Sequence, residues 1–345
     1  MQINYPKNIT HEQARDGGFI FAVLVSAAIV FLGLLQINVE LVDATGKGGL
    51  FYEWQLANPT FWSSASAWVG FFAHNLLIWG TIWWAQERSN RKYETILKPV
   101  NIIALAINGV FILLHYLQTA VFYDGIAQDL PGWTAQSTVI MMLFVIMLME
   151  NRRRGMFFGK KLNFRAEFYE WLKRYHGYAF SFAVIYTFWF HPMIPTLGHI
   201  LGFLHVMVVM LQGSLMFTKT HVNRKWIFLN EILVLPHAAF VALNQGGGIV
   251  YMFLFGFLTI FIVTQMHGLG LKAWVKNLFY AGFILSLVLT YTFVREPYMI
   301  NEVIRIPMID YIMIFMTYGL WWVFFQVGNR IDSLRDNNQT VAAGD

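Results

Sequence analysis

The chain has 345 residues, of which 57% are hydrophobic and only 12% charged, about half the charged share of an ordinary soluble domain. That excludes a soluble globular protein and points to a single membrane domain over 1–345, while the lack of cysteine excludes disulfides, thiolate-held zinc, iron–sulfur clusters and thiol nucleophiles. The formal net charge of +5 would suit a nucleic-acid partner, but the placement of the charges argues against one.

A helix needs about 20 mostly apolar residues to cross a bilayer. Ten segments qualify: 18–40, 67–86, 100–122, 131–150, 174–191, 196–217, 226–244, 248–266, 273–294 and 308–328. The first lacks a small-residue cleavage site and reads as a span rather than a signal peptide. With the N-terminus inside, all of the 24 lysines and arginines except Lys47, Arg295 and Arg305 fall on inner segments. So strong a bias predicts an all-α, polytopic bundle of about ten transmembrane helices with both termini on the inner side, as in a bacterial inner (cytoplasmic) membrane protein. The positive charge then faces anionic headgroups of the lipid bilayer, and no nucleic-acid partner is expected.

Between the spans, the outer loop 41–66 carries Tyr52, Glu53, Trp54 and Trp62. It reads as an interfacial aromatic belt, with a cap over an outward-facing cavity as the other reading. The inner segment 151–174 opens with Arg152, Arg153 and Arg154 and continues with Phe164, Phe168, Tyr169 and Trp171, the pattern of a basic amphipathic helix lying on the inner surface. The outer loop 295–307 balances Arg295 and Arg305 against Glu296 and Glu302 and reads as a rigid spacer, and the tail 336–345 reads as disordered.

Histidine is costly inside a bilayer and seldom present there without a task. Five of the ten histidines lie between Tyr175 and Arg224, on two spans joined by a turn containing Pro192 and Pro195. His176, His221 and His267 fall at the inner interface, and His191 and His199 bracket the outer turn. His74, His115, His205 and His237 belong to four different spans, and the helical rise puts each roughly 2–6 Å outward of mid-bilayer. Polar residues recur with them at sevenfold spacing: Asn101, Asn108 and His115; Gly198, His205 and Gln212; Asn230, His237 and Asn244. Gly198 and Gly202 form a small-xxx-small face that admits a close neighbour. Pro236, just before His237, predicts a kink.

Four imidazoles at one level predict a metal or haem centre, with His74, His115, His205 and His237 as ligands and His199 and His191 as further candidates. Asn108, Gln212, Asn230, Gly198 and Gly202 would support it. No Asp or Glu lies at that level: Glu231 and Glu150 fall inward, and Asp124, Asp129, Glu296, Glu302 and Asp310 at the outer rim. An all-imidazole shell suits non-haem iron or copper, and haem b, with two axial histidines, is the main competitor. Two haems would more often use histidines at two depths, as His176/His191 and His205/His221 nearly do at separations of 15 and 16 residues, but 16 residues turn the second pair about 160° apart. One level of four imidazoles fits a single non-haem centre, or one haem beside a second metal, better. The expected function is a membrane oxidoreductase or electron-transfer protein acting on an apolar substrate, a quinol or a small gas, with a redox partner or quinol as its associate. Tyr116, Tyr123 and Asp124 are candidate proton carriers, and Tyr186 and Thr187 candidate cavity lining. The alternative is a proton-coupled or metal-ion transporter using the same histidines, with Glu231 as its carboxylate; an assembly subunit is a third reading.

Overall fold

The structure is a computed structural model that describes residues 8–43, 45, 52–89, 91–245 and 249–342, without the side chains of 244, 245 and 332 onward. Eleven α-helices account for most of these residues, with isolated bridges but no strand among them. They are α1 (His11–Leu32), α2 (Phe61–Arg88), α3 (Pro99–Phe122), α4 (Trp133–Arg154), α5 (Ala166–Phe190), α6 (Leu197–Ser214), α7 (Arg224–Ile232), α8 (Val234–Gln245), α9 (Ile249–Val263), α10 (Ala273–Phe293) and α11 (Glu302–Ala342). Among the described residues, eight segments are long and apolar enough to cross a membrane: α1, α3, α4, α6, α7 with most of α8, α9 with the turn after it, α10, and 297–331. The molecule is thus an apolar helical bundle suited to lipid.

Local chemistry sets the helix starts. Thr10 accepts from the Gln13 amide while Gln13 reaches back to the Thr10 amide, and Thr60 and Ser63 repeat this reciprocal cap at α2. Pro99 opens α3, Thr196 caps α6 and Asn223 caps α7. The span expected over 226–244 is two helices meeting at Leu233. Pro236 has no N–H to offer the carbonyl of residue 232 and crowds it, so the break comes three residues earlier than the expected kink.

One expectation for the inner side is corrected. Segment 151–174 is not one surface helix: α4 ends at Arg154, a hairpin follows, and α5 begins at Ala166 and runs unbroken to Phe190. Gly155 and Gly159 hold φ of 77° and 80°, which L side chains resist, and they turn the chain there. Asn151 clasps the hairpin by accepting from the Leu162 amide and donating to its carbonyl. Phe168, Tyr169 and Leu172 are buried, Phe168 against Tyr318 and Trp321 of α11, so this aromatic face is core rather than lipid anchor. α11 runs as far as Ala342, into the tail expected to be disordered.

The main core joins α1, α2, α3, α5 and α6, with Trp189, Phe188 and Phe190 among its largest fully buried side chains. Only Tyr291 of α10 is buried, so α10 is a peripheral helix held through α9. Between α10 and α11, Arg295 pairs with Glu302 and Tyr291 donates to the same carboxylate, which gives the expected rigid spacer a physical basis. The α3–α4 connection passes so close to the end of α5 that a Cβ on Gly125 would lie 2.4 Å from the Phe190 carbonyl oxygen.

Candidate functional site

The four imidazoles expected at one centre divide into two groups. His74 and His115 have no accessible surface. His74 lies parallel to Phe111 at 4.5 Å, donates from Nε2 to Asn108 Oδ1 (2.7 Å) and accepts the Trp189 indole N–H (3.3 Å). Asn108 in turn donates to Ser214 Oγ, and Asn101 to the carbonyls of Ser214 and Met216. His115 donates from Nε2 to the His191 carbonyl (2.9 Å) and sits between Phe188 and Trp189. The polar stripe of α3 therefore ties α2, α3, α5 and α6 together, and both rings are engaged within it.

His191, His199, His205 and His237 form the other group. Each is surrounded by protein at depth, yet each keeps accessible surface, so each borders a crevice between the helices. The His191 and His199 rings are 5.8 Å apart at 74°. His237 lies within charge–charge range of His191, His199 and His205. Tautomers follow from the partners, because a carbonyl can only accept. His191 donates Nδ1–H to Thr187 O (2.9 Å) and His237 donates Nδ1–H to Gly198 O (3.0 Å), leaving Nε2 as a lone pair on both. His205 donates Nε2–H to Asn230 O (2.9 Å), leaving Nδ1. This is the arrangement in which metal-ligating histidines are held.

The expected Gly198 and Gly202 face receives the His237 ring: a Cβ on Gly202 would lie 2.6 Å from His237 Cε1. The aromatic loop closes the crevice from outside. Tyr52 Oη is 3.1 Å from His199 Nε2 and its ring packs edge-on against His191, while Trp54 packs edge-on against His199 at 4.6 Å. Of the two readings of loop 41–66, capping describes Tyr52 and Trp54, whereas Trp62 is exposed on α2. On its other side His199 Nδ1 lies 2.7 Å from Thr196 Oγ1, so hydroxyl, imidazole and hydroxyl form one hydrogen-bonded chain.

The remaining candidates sort by position. Tyr123 and Asp124 lie within charge range of Tyr52, beside the crevice. Burial raises the Asp124 carboxyl to about 6, and one of its oxygens has no partner among the described residues. Tyr116 is instead bound to the Ala28 carbonyl of α1, and Tyr186 and Thr187 to Thr134 and Thr138 of α4. Gln212 is bound to His221, and Asn230 supports His205 through its carbonyl. The side chain of Asn244 lies outside the described ones. Glu231 is engaged in a buried pair with Arg154.

Asp310, expected at the outer rim, lies near the start of α11. It is fully buried between α11 and its neighbours, and neither carboxylate oxygen has a partner among the described residues. Sequence reading also missed Tyr52 as a histidine partner, since nothing distinguishes it from the other aromatics of its loop. Among the described residues no three His, Asp or Glu side chains are arranged to hold one metal ion. Comparison with protein-family models, curated proteins and solved structures gave no match.

Proposed function

We propose that the chain is an integral membrane redox protein that holds a transition-metal centre between His191 and His199 in the outer half of the bilayer. It crosses ten times with both termini inside, in a bacterial cytoplasmic membrane, and acts on a quinol, an apolar substrate or a small gas. The observation that carries this reading is the pair of imidazoles 5.8 Å apart, lining a crevice with His205 and His237 beside them. Metal–nitrogen bonds of about 2.0–2.1 Å put two ligating ring centres roughly 5–6 Å apart across one ion, depending on the angle between the bonds.

The donor set was tested against iron and copper. Imidazole nitrogen suits both ions, but among the described residues a bare ion would find no third histidine or carboxylate already in place. Haem iron needs only two axial ligands from the protein, since the porphyrin supplies the other four nitrogens. The 5.8 Å between the rings is shorter than the about 6.3 Å of two ligands on opposite sides of one ion, so this pair fits a bare ion bound at an angle better than haem b. When bound, such a group would supply one-electron chemistry. The chain's own contribution is to fix the His191 tautomer through Thr187, close the crevice with Tyr52 and Trp54, and move protons along Tyr52, His199 and Thr196. Binding at His199 Nε2 requires Tyr52 to release it, so the loop would respond to occupancy.

Metal content and the visible absorbance spectrum of the purified protein test this. Iron or copper that is lost in His191→Ala is the expected result; a Soret band beside it identifies haem iron instead of a bare ion. A metal-free, colourless chain refutes the proposal. The second reading, proton-coupled transport, is favoured by the unpartnered Asp310, because buried carboxyls mark proton paths in transporters. Proton uptake by proteoliposomes that Asp310→Asn abolishes would support it.

A further inference from the structure

His176 and His221 form a second pair, at the opposite end of the α5–α6 hairpin from the outer crevice. His176 lies in the inner half of α5 and His221 in the turn after α6; their ring centroids are 6.4 Å apart at 47°. Both are surrounded by protein and both keep accessible surface. Each directs its Nδ1 at main-chain carbonyls, His176 at Lys173 (2.9 Å) and Leu172 (3.2 Å), His221 at Gln212 (2.9 Å). The carbonyls can only accept, so Nδ1 carries the hydrogen on both rings and the Nε2 lone pairs are left free for an electrophile.

The spacing of the rings matches one ion held between them. Two imidazoles bound on opposite sides of one ion, at about 2.0–2.1 Å each, have ring centres about 6.3 Å apart. A proton shared directly between the two nitrogens would bring the rings closer, because nitrogen-to-nitrogen hydrogen bonds are only about 3 Å long. Gln212 adds an independent sign of a ligand. Its Nε2 donates to the His221 main-chain carbonyl while its own main-chain carbonyl accepts from His221 Nδ1, so the two residues are bound twice. Its Oε1 is nevertheless buried without a partner among the described residues, an acceptor that a cation or a water can satisfy. No carboxylate is bonded to either ring among the described residues, which disfavours hard cations.

We propose that His176 and His221 bind a second iron or copper centre, as a bare ion or as haem iron, at the inner end of the hairpin. The ligation stands on this pair alone. Only its use as a second station, where the inner centre loses the one electron that the outer centre gains, rests on the proposed function.

The test uses the full-length protein in detergent, with iron and copper per chain and absorbance recorded as purified. Metal-stripped protein is then titrated with copper(I) and, separately, with haemin. The wild type should bind two equivalents of one of these; His176→Ala and His221→Ala should each bind one, and His191→Ala should also bind one. Saturation by haemin with a Soret band identifies haem iron, and saturation by copper(I) alone a bare ion. If His176→Ala and His221→Ala bind as much as the wild type, the inner site is overturned. Loss confined to those two variants, with His191→Ala unchanged, supports the inner site and refutes the outer one. Should either alanine variant fail to elute as a single species, His221→Gln replaces it; one lost equivalent supports the site and none overturns it.

Discussion

Replacing Glu231 by glutamine tests the inner architecture most sharply. Glu231 and Arg154 are each only 2% exposed, and one guanidinium nitrogen of Arg154 lies 2.9 and 2.7 Å from the two carboxylate oxygens. Nε and Nη2 of the same arginine have no partner among the described residues, so the carboxylate is what balances the buried charge. Removing one member of a buried pair costs about 3–5 kcal/mol, because the other charge is left uncompensated. At about 2 °C per kcal/mol for a chain of this size, Glu231→Gln should melt roughly 6–10 °C below the wild type. Thermal unfolding in detergent, followed by loss of the monodisperse elution peak, measures it. The double variant Arg154→Met/Glu231→Leu should recover most of the loss, since it removes both charges and keeps apolar volume. A single variant that melts with the wild type, or a double variant no better than the single, would refute the reasoning.

Other consequences concern the outer face. Gly202→Ala drives a methyl to within 2.6 Å of His237 Cε1 and should push the ring off the Gly198 carbonyl, lowering stability by about 1–3 kcal/mol; adding His237→Ala should relieve it, and thermal scans of the single and double variants check this. Asp124 binds its proton more tightly when folded, at about 6 rather than 3.8. Its contribution to stability is therefore full below about pH 4 and is lost as pH rises to about 6, by at most about 3 kcal/mol. Asp124→Asn should remove that slope and melt above the wild type at pH 7.5; parallel melting profiles from pH 4 to pH 7.5 would contradict it.

Hydropathy made most of the helices legible, because lipid demands apolar side chains wherever it touches them. α2 and α5 are not among the eight strongly apolar segments, although both were expected as spans. α5 carries Glu167, Glu170, Lys173 and Arg174 at its inner end and buries Val184 to Trp189 almost without interruption in the core, so it needs fewer lipid-compatible positions. Depth along a helix was read from the helical rise, and depth alone suggested the four-histidine centre. The azimuth of each ring was not legible. His74 and His115, expected at the level of His205 and His237, face an aromatic slab, and only the packing of Trp189 and Phe111 reveals that. His191 and His199 come together because Pro192 and Pro195 make the turn tight enough to set α5 beside α6, a consequence of chain geometry rather than of periodicity.

The central claim is that imidazole nitrogen holds a transition metal inside this bundle. X-ray absorption at the iron and copper edges of the purified protein tests it directly. A nitrogen shell at about 2.0–2.1 Å, with the outer scattering of imidazole rings, that weakens in His191→Ala is the expected result. A shell of oxygen or thioether sulfur alone, or no metal at either edge, would contradict it.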